Sequence, residues 1–331
     1  MKKLLIGLCT LLFAAPASAQ PALVKVATIA PQGSIYHRVL QEMGQAYARA
    51  SGADARFIIY PNSIQGTEAD TVRRMRVGQL DASMLTVVGL SEIDRSVAAL
   101  QYMPMMFRSW EELDHVREKL RPALEAKLAA KGFVVLIWGE GGWVQFFTKE
   151  DIATPEQYRR ARIFAWSGDI VQASVMKSQG YHPVPIPLAD ILPALETGMV
   201  DAVPVAPLWA LVGQFDRIAR HMLRVNWVPI VGATVMRRQT YEAMKPEARA
   251  ALRAASDKAT EALRAHREAQ DEGSIRAMQA RGLQVKELTP ELEAAWRALA
   301  EKSWPHVRGT MVPAETFDRV QAILADYRGR K

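Results

Sequence analysis

Cysteine is nearly absent: the 331 residues contain one, Cys9. A single thiol makes no intrachain disulfide and no Cys-based metal site, so stability has to come from an apolar core. Long apolar runs are missing too. The longest, residues 4–15, is twelve residues, where a bilayer span needs about twenty. There is no run of five or more basic residues; the excess of 42 Lys and Arg over 35 Asp and Glu, a net charge of +7, is scattered over mixed helical surface. A nucleic-acid platform is therefore not expected. Gly-x-Ser-x-Gly, His-Glu-x-x-His and Walker patterns are absent as well, and the six histidines (37, 115, 182, 221, 266 and 306) are dispersed. No nucleophile and base pair and no metal-ligand set can be named, so an enzyme, a cofactor and a bound metal are all unexpected.

With 49% apolar and 23% charged residues, the chain is an ordinary globular one, long enough for two domains. Its first nineteen residues read differently. Lys2 and Lys3 precede the apolar run, and Ala17-Ser18-Ala19 follows as a small-residue cleavage site, the signature of a secretory signal peptide. Cleavage after Ala19 would leave 312 residues with a charge of +5 and remove Cys9. An exported protein in the periplasm is expected.

Beyond it, extended and helical signals alternate. A strand over 22–28 meets the turn Pro31-Gln32-Gly33-Ser34, whose serine caps a helix over 35–50 with Leu40, Met43 and Tyr47 on one face. Strands over 55–60 and 81–88 flank a helix ending at Gly78. Such alternation predicts an α/β fold with parallel strands. A helix over 109–130 follows, then strands over 133–138 and 143–148 separated by Gly139-Glu140-Gly141-Gly142, which reads as a sharp reversal. Thr154-Pro155-Glu156-Gln157 opens a helix, residues 162–166 a strand, 167–178 a helix, 184–187 and 199–205 extended segments around a helix over 188–196. Asp169, Asp190, Glu196 and Asp201 lie near strand ends and read as helix caps, with no spacing that selects a catalytic pair. Residues 239–280 read as some forty residues of helix, enough to brace two domains. A strand over 282–288 and helices over 290–302 and 313–327 close the chain.

The order of motifs resembles the solute-binding proteins of tripartite ATP-independent periplasmic (TRAP) transporters, the DctP-type family. The matching segments are Pro31-Gln32-Gly33-Ser34-x-x-His37, Tyr60-Pro61-Asn62-x-x-x-Gly66, Val77-Gly78-Gln79-Leu80-Asp81-Ala82, Met103-Pro104-Met105-Met106-Phe107-Arg108, Thr154-Pro155-Glu156, His182-Pro183-Val184-Pro185-Ile186-Pro187, Ala194-Leu195-Glu196-Thr197-Gly198-Met199-Val200-Asp201 and Pro246-Glu247. The resemblance implies a two-lobed periplasmic binding protein fold with hinge strands and a long bracing helix. It implies a ligand enclosed between the lobes and delivered to the membrane permease subunits. The expected lobes are 22–140 plus 231–290, and 141–230, with 291–331 as C-terminal helices. A periplasmic sensor for a membrane signalling partner is the alternative role, and a monomer is expected.

Where the sequence departs from the family, it loses charge. The family's ligand-gripping arginine, in a Lys-Ile-Arg pattern after the Thr-Pro-Glu helix, is matched by Phe164 in Arg162-Ile163-Phe164, or by Ala165 if the count runs back from Pro183. Arg162, two residues away and expected on the same strand face, is the candidate substitute. A second family arginine is matched by Gln145, and the family's Gly-Gln-Glu-Asn-Pro after Asp201 by Ala202-Val203-Pro204-Val205-Ala206-Pro207. Trp138, Trp143, Trp166 and Trp209 are candidate walls for an apolar ligand, with plain core packing as the competing reading of each. The candidate ligand-binding set is thus Phe164, Arg162, Trp166, Gln145, Trp143, Trp138, Pro204, Val205, Trp209 and Ser34. A buried arginine without an acidic partner is costly, so its loss points to a ligand that is apolar or aromatic and not a simple dicarboxylate.

Overall fold

The computed structural model describes residues 23–52 and 55–330; the expected signal peptide, residues 1–19, lies outside them. Two sheets organise the chain. The first has the order β2-β1-β3-β10-β4 and the second β11-β9-β5-β8-β6-β7. In the first, β1 (Leu23–Thr28) runs parallel to both β2 (Arg56–Tyr60) and β3 (Ala82–Thr86), while β10 (Pro229–Arg237) is antiparallel to β3 and to β4 (Phe133–Trp143). The second contains β5 (Gln145–Thr148), β6 (Arg162–Trp166), β7 (His182–Ile186), β8 (Ala202–Val205), β9 (His221–Arg224) and β11 (Gln284–Glu287). Its β6 is parallel to β7 and β8, and β5 is antiparallel to β8 and β9. This is the two-lobed α/β periplasmic binding protein fold.

Local chemistry sets the element ends. The Ser34 hydroxyl accepts from the His37 N–H at 3.3 Å and starts the helix Ile35–Ser51, whose Tyr36, Leu40, Met43 and Tyr47 are buried on one face. Thr154 and Gln157 form a capping box at the helix Pro155–Arg160. The continuous helix expected over 239–280 is instead Arg238–Glu242 followed by Pro246–Gln279. Pro246 cannot donate an N–H and holds Lys245 extended, so the second helix must begin there. Its 34 residues make a rod of about 51 Å.

The glycine segment does not reverse the chain, as its composition suggested. It continues β4 to Trp143, and the polypeptide passes straight into β5 of the other sheet. Close packing explains the small residues. A Cβ on Gly139 would lie 2.9 Å from Leu263 of the long helix, and one on Gly142 (φ +97°) 2.5 Å from Asp271 Oδ1. The return crossing, into β10, lies beside the first. Val144 N–H donates to Val228 O at 2.9 Å, and Trp227 N–H donates to Val144 O at 3.0 Å. The long helix is the third connection: Leu252 and Leu263 pack with the first lobe, Ile275 and Met278 with the second.

Two expected boundaries change. The first lobe was expected to reach residue 290, but the long helix delivers the chain to the second lobe, where β11 pairs with β9 from Gln284↔His221 to Glu287↔Arg224. Nor do residues 291–331 stand apart. Trp296, in the helix Pro290–Val307, is buried with Phe146 and Tyr158 of the second lobe, whereas Phe317, Val320 and Leu324 join the first-lobe core.

Candidate functional site

Between the two sheets lies a cavity of about 200 Å³. The first lobe contributes Ile29, Thr86, Val88, Gln101 and Tyr102, and the second Phe146, Phe164, Trp166, Asp169, Val205 and Trp209. The helix Pro290–Val307 closes one side with Trp296, Leu299 and Ser303. A smaller space of about 60 Å³ lies on the first-lobe side and shares Ile29, Thr86, Trp209 and Ile230 with it.

Strand alternation decides which side chains face this space at β5, whereas consecutive residues of β6 (Phe164, Ala165, Trp166) and β8 (Pro204, Val205) border it. Val144 and Phe146 line it, and the intervening Gln145 does not. On β6, Phe164 and Trp166 line it, their rings in edge contact with centroids 6.0 Å apart. Phe164 is buried and belongs also to the second-lobe core. Pro204 and Val205 of β8 and Trp209 from the helix Pro207–Val212 complete that wall.

Five expected contacts sit elsewhere, each for a clear physical reason. Arg162 stands at the exposed start of β6, where its guanidinium grips both oxygens of Asp201 at 2.7 Å. That pair, not strand alternation, sets its direction and holds it away from the cavity. Gln145 is buried, but its carbonyl accepts from the N–H groups of Val225 and Asn226 at 2.8 and 3.0 Å, and its amide donates to Asn226 Oδ1 at 2.6 Å. It pins a turn in which Asn226 has a left-handed φ of 46°. Trp143 packs on Trp110 with ring centroids 4.9 Å apart, and Trp138 donates from its indole N–H to Glu125 at 3.0 Å, both inside the first-lobe core. Ser34 is occupied as a helix cap.

The sequence reading missed more of the wall than it found. Tyr102, Tyr158, Tyr181, Trp227 and Trp296 all line the cavity. Phe146 stacks on Tyr158 at 4.3 Å, and Trp296 meets Phe146, Tyr158 and Trp227 edge-on at 5.2, 5.6 and 6.0 Å. Trp296 could not be found from its neighbours in sequence, because a charged C-terminal helix gives no sign of reaching the cleft. Asp169 was visible only as a cap. It does cap the helix Ile170–Ser178, accepting from Gln172 N–H at 2.9 Å, yet its other oxygen accepts from the Tyr102 hydroxyl across the cleft. Burial pushes the Asp169 carboxyl above its ordinary range, with the Tyr102 hydrogen bond opposing.

Residues 26–309 match the family model of the bacterial extracellular solute-binding proteins, family 7, DctP. The chain belongs to that family. This receptor is 21% identical over 323 residues to the C4-dicarboxylate-binding periplasmic protein DctP of Rhodobacter capsulatus, an overlap covering 96% of this chain and 95% of the relative. Among solved structures, it superposes on a TRAP periplasmic solute-binding protein from Desulfovibrio desulfuricans with bound sn-glycerol-3-phosphate (TM-score 0.83, 18% identity, 92% of this chain and 97% of the other). It also superposes on one from Pseudomonas aeruginosa with bound L-malate (TM-score 0.78, 15% identity, 86% of this chain and 100% of the other). The protein is a solute-binding receptor of the TRAP type, a family that binds small ligands outside the cytoplasm and works with membrane permease components. Those two relatives hold acids. In this receptor no Lys, Arg or His is among the residues lining the cavity, and no cluster of three or more His, Cys, Asp or Glu placed to hold a metal occurs among the described residues.

Proposed function

We propose that this receptor captures a ligand with a hydrocarbon or aromatic body, not a dicarboxylate, and hands it to the membrane subunits of a TRAP transporter. One observation carries the reading: the cavity wall is mostly aromatic and aliphatic, and among its polar side chains, Asp169, Gln101, Gln172, Gln179, Thr86 and Ser303, there is no basic residue. A carboxylate moved from water into such a space would lose its hydration and gain no counter-charge, a net cost of several kcal/mol. An apolar surface moved there gains about 25 cal/mol per Å².

Phe164, Trp166, Pro204, Val205 and Trp209 are the proposed contacts from the earlier set. The receptor acts as a monomer, without catalysis and without nucleic acid, after export directed by residues 1–19. The test is native mass spectrometry of protein purified without denaturation, to identify a co-purified molecule, joined to a thermal-shift series with succinate and L-malate. An apolar or aromatic mass and flat succinate and malate series are expected. Saturable stabilisation by succinate, which at 100 times its Kd would reach about 2.7 kcal/mol, would overturn the reading.

A further inference from the structure

The cavity contains a carboxyl group with no basic partner. Asp169 is 8% exposed and lines the space. Its partners are the Gln172 backbone N–H and the Tyr102 hydroxyl, both neutral donors. Among the described residues it enters no ion pair within 4.0 Å, whereas three other buried carboxylates do: Glu140 pairs with Arg117, Asp216 with Arg281 and Glu112 with Arg328. A second such group stands behind the wall. Glu68 is 2% exposed, accepts from the N–H and, at 2.6 Å, the hydroxyl of the lining residue Thr86, and likewise has no ion pair among the described residues. Asp169 holds the Tyr102 hydroxyl and Glu68 the Thr86 hydroxyl, so both carboxyl groups stand at or just behind this side of the cavity.

Aromatic rings share that space. Tyr102, Phe164 and Trp166 line the same cavity as Asp169, and the face of such a ring attracts a cation through its quadrupole. Buried carboxylate, aromatic surround and absence of base form the chemical complement of an ammonium group. An acid would meet repulsion here, and a neutral body would leave the carboxylate uncompensated.

We infer that the ligand is an organic cation, a primary to quaternary ammonium whose charged head sits against Asp169 and the rings of Tyr102 and Trp166. This deepens the reading of an apolar ligand body and rests on it. The hydrocarbon part lies toward Phe146, Tyr158 and Trp296.

Calorimetry on the whole receptor with three probes of one skeleton tests the inference: phenethylammonium, phenethyl alcohol and 3-phenylpropanoate. The ammonium should bind at least tenfold more tightly than the alcohol, and the propanoate should give no heat. Asp169→Asn keeps a carbonyl to cap the helix but removes the charge; it should cost the ammonium at least tenfold and leave the alcohol unchanged. Tyr102→Phe removes the neutral donor and keeps the charge, so ammonium affinity should hold within threefold. Equal affinity of ammonium and alcohol for the unmodified receptor overturns the cation assignment and leaves the apolar reading standing. Preference for ammonium that survives Asp169→Asn overturns the role of Asp169. Tightest binding by the propanoate, or no binding by any of the three at millimolar concentration, overturns both.

Discussion

Trp166→Ala separates ligand contact from core packing better than any other change in the wall. Trp166 is the last residue of β6, half-buried, with its ring at the cavity and its edge toward Phe164. Its carbonyl accepts from Asp169 N–H at 2.9 Å, a backbone bond that alanine preserves. A ligand ring covering about 100 Å² of apolar surface against the indole gains roughly 2.5 kcal/mol, which corresponds to a loss of about 70-fold in Kd when the indole is removed. Loss of the Phe164 edge contact costs stability only about 0.5–1.5 kcal/mol. Phe164→Ala, by contrast, empties a buried core position and should cost about 3–5 kcal/mol. Calorimetry with the co-purified molecule and with phenethyl alcohol, run beside denaturant melts of both variants, makes the comparison. A change in Kd below threefold for Trp166→Ala in a folded protein would refute the reasoning, because it would place the ligand away from that wall.

Arg162→Ala is expected to leave Kd for the same probes within twofold and the melt nearly unchanged, since the Arg162 side chain is exposed and water screens its pair with Asp201; a tenfold loss by calorimetry would return Arg162 to the site. Asp271 gives a pH prediction. Burial raises its carboxyl from 3.8 to about 7, with the Trp143 N–H bond opposing, so the folded state holds the proton more tightly than the unfolded chain. Stability from this group is full below about pH 4 and is lost as pH rises toward 7. Asp271→Asn should therefore reduce the fall of unfolding free energy between pH 5 and 6.5 by about 1.4 kcal/mol per pH unit, read from urea melts; an unchanged slope contradicts the assignment. Glu68, raised to about 7 by burial against the opposing Thr86 bonds, titrates in the same direction and retains its own share of the slope.

The local level was legible in sequence because it depends on neighbours along the chain. Ser34, Thr154 and Pro246 mark helix starts through groups one to three residues away, and the alternation of strand and helix announced an α/β fold, to which the family resemblance added the two lobes. The ordered motifs placed the chain in its family, and Phe164, which stands where the family has its arginine, lines the cavity. Strand period alone was enough to say that Val144 and Gln145 face opposite ways, but not which of them faces the cleft. That was decided by the turn at Asn226, which takes the Gln145 amide for its own backbone N–H groups. The direction of Arg162 depended on Asp201, 39 residues away, and the identity of Trp138 and Trp143 as core depended on Glu125 and Trp110. Tyr102 and Asp169, 67 residues apart, acquire their relation only when the lobes face each other. Trp296 reaches the cavity because its helix docks on the second lobe after the bracing helix has carried the chain there. Composition and periodicity describe what each segment can bury; which acidic group stands in the shared space without a basic partner is a property of the assembled lobes, and in this receptor that group is Asp169.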